Sequence, residues 1–385
     1  MTSLTFSYDR RPPKFQTVAA DQWTNWHWQH QHRLRDADDF DGVLHLTADE
    51  RAAFDEVDGS FRVAVTPHYA ALMDRQSPAC PIRRQALPHK DELATYPFEL
   101  EDPLAEESHM PVPGLTHRYP DRALLYVSHH CPVYCRHCTR KRKVSDPTSA
   151  ASRAQLEQAL DHIRKTPAIR DVILSGGDPL TLSDDRLDEI LTALRRIDHV
   201  EVIRLGTRNP VTLPQRITPE LAAVLQAHAP IYVHTHFNHP AELGADAAEA
   251  LGLLLHAGCV LGNQMVLLRG VNDDPETVMT LNRRLLRHGC RPYYVLQCDM
   301  AQGITHFRTP LRRGLEIMDH LRGRIGGMGV PHFVVDLPGG GGKVELTPDY
   351  LVDGSPASST EPFQTLRFRN FQGDLFDFVD VDLDR

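Results

Sequence analysis

Several features that mark membrane, exported or nucleic-acid-binding proteins are missing from this sequence. Its 385 residues contain no apolar run long enough to span a membrane, and the N-terminus, MTSLTFSYDRR, has no apolar signal core. The formal net charge of −9 argues against a nucleic-acid-binding surface. Four of the seven cysteines are scattered and suggest no disulfide framework, which favours a reducing compartment. We therefore expect a cytoplasmic protein with no membrane or nucleic-acid partner.

The other three cysteines lie close together. Cys131, Cys135 and Cys138 occupy the segment CPVYCRHC, and a strand-like run from Ala123 to Val127 precedes them. This order predicts a loop beyond the C-terminal end of a strand, where barrel folds carry their chemistry. Three thiolates so close together can bind three corners of a 4Fe–4S cluster and leave the fourth iron open. An open iron is a site where S-adenosylmethionine (SAM) binds and is reductively cleaved.

Two alternatives to a cluster remain for these thiols. His130 and His137 lie next to the cysteines, so the three thiols and one histidine could bind a structural zinc ion. Alternatively, the cysteines could be three unrelated buried thiols. Zinc modules usually bring a second pair of ligands at knuckle spacing, and the sequence has no such pair. We therefore favour the iron–sulfur cluster and expect no zinc.

By pattern, the chain divides into three regions. Residues 1–110 are predicted to form a mostly helical N-terminal region, which ends in proline-rich turns. Residues 111–345 alternate strand-like and amphipathic helical segments. Residues 346–385 are predicted to form a short C-terminal appendage, with a hairpin around Gln372-Gly373 and a very acidic end.

The middle region contains seven strand-like runs with amphipathic helices between them. The runs are ALLYVS, DVILSG, VEVIRLG, IYVHTHF, VLGNQMVLL, PYYVLQC and HFVVDL. Ser183 and Thr218 stand where helix N-caps are expected, and proline follows Thr218. Repeated βα units predict an α/β fold with a parallel sheet, and about six units favour a partial, open barrel over an eightfold one.

Two glycine-rich segments follow strand-like runs. Ser175-Gly176-Gly177-Asp178 follows the second run and is placed to bind the methionine end of SAM, with Asp178 accepting from its ammonium group. Four glycines and Lys343 follow the last run, and they give the chain freedom to bring an amine to an aldehyde. Lysine Schiff bases with pyridoxal phosphate are the standard case. A Walker motif is excluded, because valine follows the lysine.

Two further groups complete the predicted chemistry. Arg118, Tyr119 and Arg122 precede the first strand-like run and offer two guanidinium groups and a ring to pyridoxal phosphate. Asp299 and Asp336 each stand at the end of a strand-like run, so both carboxylates are expected at the barrel mouth, where a pair would attract a cation.

Together these residues resemble the lysine 2,3-aminomutase family of radical SAM enzymes, whose fold is a partial (β/α)6 barrel. The likeness extends from about Trp26 to beyond Lys343. It is carried by LEDPLAEESHMPVPGLTHRYPDR, CPVYCRHCTRKR, DVILSGGDPL, LPQRITPEL, THFNHP, GNQMVLLRGVND, RPYYVLQCD, HFRTP and DLPGGGGK.

The resemblance implies a role for each position. The cluster would be bound by Cys131, Cys135 and Cys138, and pyridoxal phosphate by Lys343, Arg118, Tyr119 and Arg122. The residues implied for SAM are Ser175, Gly176, Gly177, Asp178, His236 and Gln264. Arg140 is implied to bind the substrate α-carboxylate, and Asp299 and Asp336 its distal ammonium. Related glutamate-specific enzymes replace the two acids, so their presence here favours a basic substrate.

One departure from the family concerns zinc. Clostridial-type members bind a structural zinc ion through a cysteine after RGVND and a C-terminal cysteine cluster. Here Asp274 stands at the first position and no cysteine follows Cys298, so we expect that zinc site to be absent. An electron donor such as flavodoxin or ferredoxin and a dimeric or tetrameric assembly are expected by analogy.

The leading hypothesis is therefore a 2,3-aminomutase that converts L-lysine to β-lysine. The nearest alternative is the same chemistry on arginine or another basic amino acid. From other classes, a zinc-bound non-catalytic protein and a pyridoxal enzyme that needs no radical, such as a racemase, remain to be distinguished.

Overall fold

The architecture is a curled sheet with helices on its outer face. The structure, a computed structural model, describes residues 11–57, 60–144, 152–353 and 363–381, so the end of the predicted acidic tail lies outside the described residues. The strands of the main sheet, in spatial as well as chain order, are β1 (Leu115–Tyr119), β2 (Arg122–Ser128), β3 (Asp171–Gly176), β4 (Val202–Gly206), β5 (Tyr232–Thr235), β6 (Val260–Leu267), β7 (Arg291–Gln297), β8 (His332–Leu337) and β9 (Gly342–Glu345). Strands β2 to β8 pair in parallel, and β1 and β9 are antiparallel edges.

Helices connect the parallel strands. The N-terminal region contains α1 (Ala20–Trp23), α2 (Trp26–Gln31), α3 (Ala48–Val57), α4 (Pro67–Ala71) and α5 (Pro81–Arg84). The helices of the middle region are α6 (Arg153–Lys165), α7 (Asp184–Arg195), α8 (Asn209–Thr212), α9 (Pro219–Ala227), α10 (Ala245–His256), α11 (Pro275–Arg287) and α12 (Leu311–Leu321). The predicted caps are present: Ser183 accepts from the Arg186 backbone, and Thr218 from the Leu221 backbone. Within the described ranges no helix is long and apolar enough to cross a membrane.

The two edges of the main sheet meet. The Tyr119 hydroxyl on β1 accepts from the backbone N–H of Lys343 on β9 at 3.0 Å. Beside it, Arg118 Nη2 donates to Asp336 Oδ1 at 3.0 Å. Side chains thus bridge the two edges of a curled sheet whose strand order runs from β1 to β9, and the predicted partial barrel is confirmed.

The two faces of the sheet differ in burial. On β3, Val172 and Leu174 are fully buried and belong to the same hydrophobic core as Leu187 and Leu191 of α7. The alternate residue, Ile173, points to the barrel interior and is only half-buried. The chemistry-bearing side chains described below belong to this inner side.

The N-terminal region is built from short helices, and one prediction for it is wrong. The pattern WTNWHWQHQHRL predicts one helical face containing Trp23, Trp26 and Leu34. The helix instead ends at Trp23, because the Asn25 side chain caps a new helix by accepting from the Trp28 backbone. Leu34 lies beyond that second helix and forms a β-bridge.

The C-terminal part forms a separate antiparallel sheet. Its strands are β10 (Leu351–Asp353), β11 (Phe363–Arg369) and β12 (Leu375–Val381). The predicted hairpin joins β11 to β12, and Gly373 in its turn has φ +93°, a conformation that favours glycine.

Candidate active site

The loop with the three cysteines is anchored to the N-terminal region. It leaves the C-terminal end of β2, and the backbone N–H groups of Tyr134 and Arg136 donate to Ala64 and Gln85. The Arg136 guanidinium is almost fully buried and is bound by the buried carboxylate of Glu92. The N-terminal helices therefore fix the position of this loop.

The chemistry of the thiols fits an iron–sulfur cluster. Burial raises the pKa of Cys138 to about 11 and raises that of Cys131 well above its ordinary value, and the nearby Cys135 thiol adds to both effects electrostatically. Arg208 Nη1 donates to Cys135 Sγ at 2.8 Å. Among the described side chains, no three histidine, cysteine or acidic groups already stand in a metal-holding geometry. Three adjacent sulfur donors, none in a disulfide, nevertheless suit iron–sulfur ligation.

The glycines of the Ser175–Asp178 segment allow close packing against the cysteine loop. The backbone N–H of Gly177 donates to Ser128 at 2.6 Å, and that of Asp178 to His130 at 2.7 Å. A Cβ atom on Gly177 would lie 2.4 Å from the His130 carbonyl oxygen, which no side chain tolerates. This segment and the cysteine loop therefore form one unit.

Asp178 has partners of its own. Its buried carboxylate accepts from Thr207 Oγ1 at 2.7 Å, from Arg208 N at 2.7 Å and from Leu180 N at 3.0 Å. These bonds tie the loop after β3 to the loop after β4. The expected contact of this carboxylate with the ammonium group of SAM stays a prediction.

His236 directly follows β5, and Gln264 lies on the neighbouring strand β6. The His236 ring is edge-on to His137 of the cysteine loop, with ring centres 5.5 Å apart. Its Nε2 atom is buried and has no hydrogen-bond partner in the part of the chain that the structure describes. Gln264 is half-buried on β6, in register with Tyr294 on β7. The unsatisfied His236 nitrogen suits a bound group beside the cluster, and the roles of both residues stay predictions.

Arg140 is bound by a residue that the sequence reasoning missed. Its Nε lies 3.0 and 2.9 Å from the two carboxylate oxygens of Glu106, and its Nη2 lies 2.5 Å from Oε1. The Arg140 guanidinium holds the pKa of Glu106 at about 2, against the opposing effect of burial. On its other side, the Nη1 atom of Arg140 lies 3.4 Å from Ser175 Oγ. Glu106 lies in a family motif, but only the fold brings it to Arg140.

Lys343 is surrounded by the residues predicted to bind pyridoxal phosphate. The Arg122 guanidinium lies 4.1 Å from the Tyr119 ring centre and that of Arg118 lies 4.8 Å from it. Gly342 has φ +84°, and a Cβ there would lie 3.2 Å from the Tyr119 hydroxyl. One amine, one aromatic ring and two guanidinium groups thus meet in one place, which fits the aldehyde, ring and phosphate of this cofactor.

The two predicted acids lie beside the same lysine. The Lys343 ammonium donates to Asp336, whose side chain is 5% exposed. Burial raises the pKa of Asp299 to about 7, and Asp336 adds to this effect while the Lys343 ammonium opposes it. The pair is therefore a partly buried site for a cation.

A short segment links the Lys343 end of the site to the cysteine end. Arg118 Nη1 donates to the Leu104 carbonyl at 3.0 Å, and Glu106, two residues on, binds Arg140. Arg140 in turn acts electrostatically on Cys138. Contacts from the Lys343 end therefore reach Arg140, whose charge acts on Cys138 of the cysteine loop.

Comparison with known proteins gives the family. A lysine-2,3-aminomutase family model matches residues 318–379, and a radical SAM superfamily model matches residues 125–281. The L-lysine 2,3-aminomutase of Clostridium subterminale is 45% identical, covering 95% of this chain and 86% of that protein. The chain belongs to the lysine 2,3-aminomutase family. Its cofactors are accordingly a 4Fe–4S cluster, SAM and pyridoxal phosphate.

Other members of this family show that overall similarity does not choose the substrate. The L-lysine 2,3-aminomutase of Bacillus subtilis is 44% identical, covering 92% of this chain and 74% of that protein. The glutamate 2,3-aminomutase of Clostridioides difficile is 43% identical, covering 86% of this chain and 78% of that protein. A solved radical SAM methyltransferase from Sphaerobacter thermophilus matches with a TM-score of 0.35 at 19% identity, covering 57% of this chain and 67% of that one, too weakly to support an argument.

Proposed function

We propose that this member of the family is an L-lysine 2,3-aminomutase, which moves the α-amino group of L-lysine to C3 and gives β-lysine. The supporting observation is the acidic pair Asp299 and Asp336, with a primary ammonium, that of Lys343, on Asp336. The distal ammonium of a lysine substrate has the same charge and the same donors. Lys343 would hold pyridoxal phosphate through this amine, and Asp336, whose Oδ1 also accepts from Arg118, would then offer its Oδ2 to the substrate.

The acidic pair also argues against glutamate, because a side-chain carboxylate would face two carboxyl groups in a partly buried place. Arginine is the second candidate, since two carboxylates also match the donors of a guanidinium group.

The cofactors supply the reactive groups and the chain supplies the positions. When bound, the cluster with SAM supplies a carbon radical that removes and returns one hydrogen, and pyridoxal phosphate supplies a covalent hold on the α-amine. Arg140 binds the α-carboxylate, and Asp299 and Asp336 bind the distal ammonium. Holding a flexible substrate at both ends fixes which carbon faces the radical, and such positioning contributes large rate factors.

We also propose a cytoplasmic location, an electron donor such as flavodoxin or ferredoxin, and a homo-oligomer. All seven cysteines are unpaired, which suits a reducing compartment. Reductive cleavage of SAM needs a low-potential donor. A dimer or tetramer rests on the family resemblance alone.

The test is anaerobic turnover of L-lysine, L-arginine, L-ornithine and L-glutamate side by side, with all three cofactors and a reductant. L-Lysine is expected to give the highest kcat/KM. D299N and D336N are each expected to lower it by about tenfold or more, because they remove a charge from a buried site. D161N, on an exposed helix position, is the control.

Three outcomes would contradict the proposal. Glutamate as the best substrate would overturn the role of the acidic pair. Turnover without SAM and reductant would indicate a non-radical pyridoxal enzyme. Failure to take up iron and sulfide together, with zinc bound instead, would indicate a non-catalytic scaffold.

A further inference from the structure

The guanidinium group of Arg140 has two edges that can each bind a carboxylate with two hydrogen bonds. The side edge consists of Nε and Nη2, and the end edge consists of Nη1 and Nη2. Glu106 occupies the side edge, with Nε at 3.0 and 2.9 Å from its oxygens and Nη2 at 2.5 Å. The end edge is therefore the one left for another carboxylate.

Glu106 is itself held in place. Its side chain is 8% exposed, and its backbone carbonyl accepts from the Thr116 hydroxyl at 3.3 Å. The Tyr126 hydroxyl helps to lower the pKa of this carboxyl group and lies 3.4 Å from Thr116 Oγ1, and the Tyr126 ring lies 5.6 Å from the Arg140 guanidinium carbon. Strands β1 and β2 thus fix the glutamate, and the glutamate fixes the plane of the guanidinium.

The end edge points toward the chemistry. Arg140 Nη1 lies 3.4 Å from Ser175 Oγ, at the end of β3 and directly before the two glycines that pack on the cysteine loop. Arg140 also acts electrostatically on Cys138. A carboxylate bound by this edge would lie between the cluster end and the Lys343 end of the site.

We propose that Glu106 is a positioning residue for the substrate: it holds Arg140 by the side edge so that the end edge receives the α-carboxylate. This inference rests on the proposed function, in which Arg140 binds that carboxylate. Without Glu106 the guanidinium is free to bind a carboxylate by either edge, which moves the α-carbon away from its working position. Misplacement by about 1 Å is expected to lower kcat by up to about a hundredfold.

The experiment measures binding apart from turnover. Holoenzyme carrying cluster, pyridoxal phosphate and SAM, but no reductant, is titrated calorimetrically with L-lysine and with L-lysinamide, which lacks the carboxylate charge. E106Q is expected to weaken L-lysine binding by about tenfold and to leave L-lysinamide unchanged, since one charge-assisted pair contributes about that factor. In turnover, E106Q is expected to lower kcat more than it raises KM, and E106D to restore part of kcat.

Glu107 provides the matched control. It is the neighbouring glutamate, is 57% exposed and pairs with Arg142 and Lys143 instead of Arg140. E107Q removes one carboxylate charge at the position next to Glu106. L-Lysine and L-lysinamide are both expected to bind E107Q as tightly as they bind the unchanged protein. R140Q is included to test the proposed function separately, and it is expected to lose L-lysine affinity.

The outcomes separate the two claims. If R140Q binds L-lysine normally, the role of Arg140 in the proposed function fails. If R140Q loses L-lysine affinity while E106Q keeps it, or if E106Q binds L-lysine more tightly, the positioning role is overturned. Should E106Q fail to fold, E106D decides, since it keeps the charge but shortens the reach. Equal weakening of L-lysine and L-lysinamide in E106D would then overturn the inference.

Discussion

Asp299 is a buried carboxyl group whose charge depends on its neighbours. Burial and Asp336 raise its pKa to about 7, while Lys343, Arg308 and Arg118 act in the other direction. A carboxyl group with a raised pKa is protonated below that pH, and a cation binds to the ionised form. Binding of L-lysine below pH 7 must therefore release a proton.

The pH dependence of binding tests this directly. As the pH falls below 7, the Kd for L-lysine is expected to rise by about tenfold per pH unit, because binding displaces one proton. Above pH 7 the Kd is expected to level off. D299N is expected to bind L-lysine more weakly and to lose this pH dependence. A Kd for the unchanged protein that stays flat between pH 5.5 and 8 would show that Asp299 does not take the charge of the ligand.

Gly177 is required by the space around it. G177A would place a methyl group 2.4 Å from the His130 carbonyl oxygen and push the cysteine loop away from β3. We expect G177A to bind clearly less iron and sulfide per chain after anaerobic reconstitution. G252A is the matched control, because nothing lies within 4 Å of a Cβ at Gly252. Normal iron content in G177A would mean that the loop is not held by this contact.

At the scale of elements, helix α11 begins directly after Asp274, the position where the family resemblance implies a zinc-binding cysteine in clostridial-type members. Asp274 caps this helix by accepting from the Thr277 backbone at 2.9 Å. D274A is expected to lower the free energy of unfolding by about 1 kcal/mol, the usual cost of removing a cap. The zinc content of the purified protein is expected to be the same before and after the change. Loss of bound zinc in D274A would contradict the predicted absence of that site.

Elements with a strong local pattern were predictable from the sequence. All seven strand-like runs of the middle region became parallel strands, and Ser183 and Thr218 became caps, because periodicity and capping are local properties. The structure of the tryptophan segment was not predictable in this way, because the cap at Asn25 starts a new helix and breaks the predicted helical face. Helix period alone does not reveal such a break.

Contacts between distant segments were outside the reach of sequence reasoning. Glu106 meets Arg140 across 34 residues, and Asp178 meets Thr207 across 29. Glu106, Arg140 and Asp178 were visible in the motifs, but their hydrogen bonds depend on how β1, β3 and β4 pack. The site was therefore predicted as a set of residues, without the hydrogen bonds that orient them.

At the scale of the whole molecule, the N-terminal region supports the loop with the three cysteines. Glu92, fully buried, binds both Arg136 and Lys141, which stand within and just after that loop. E92Q leaves two buried cations short of a counter-charge, and the expected cost is about 3–5 kcal/mol of unfolding free energy, with reduced iron uptake. Chemical denaturation and iron analysis measure both, and E56Q, which affects only an exposed pair with Lys90, is the control. Unchanged stability in E92Q would show that the loop does not depend on this region.

The proposed function requires that the thiols and Lys343 serve one site, so that hydrogen moves between substrate and SAM without reaching water. The most direct measurement is turnover of L-lysine carrying deuterium at C3, with mass spectrometry of the product and of 5′-deoxyadenosine. The account predicts deuterium in 5′-deoxyadenosine and at C2 of β-lysine. Deuterium that stays wholly at C3, or is lost to solvent, would contradict it.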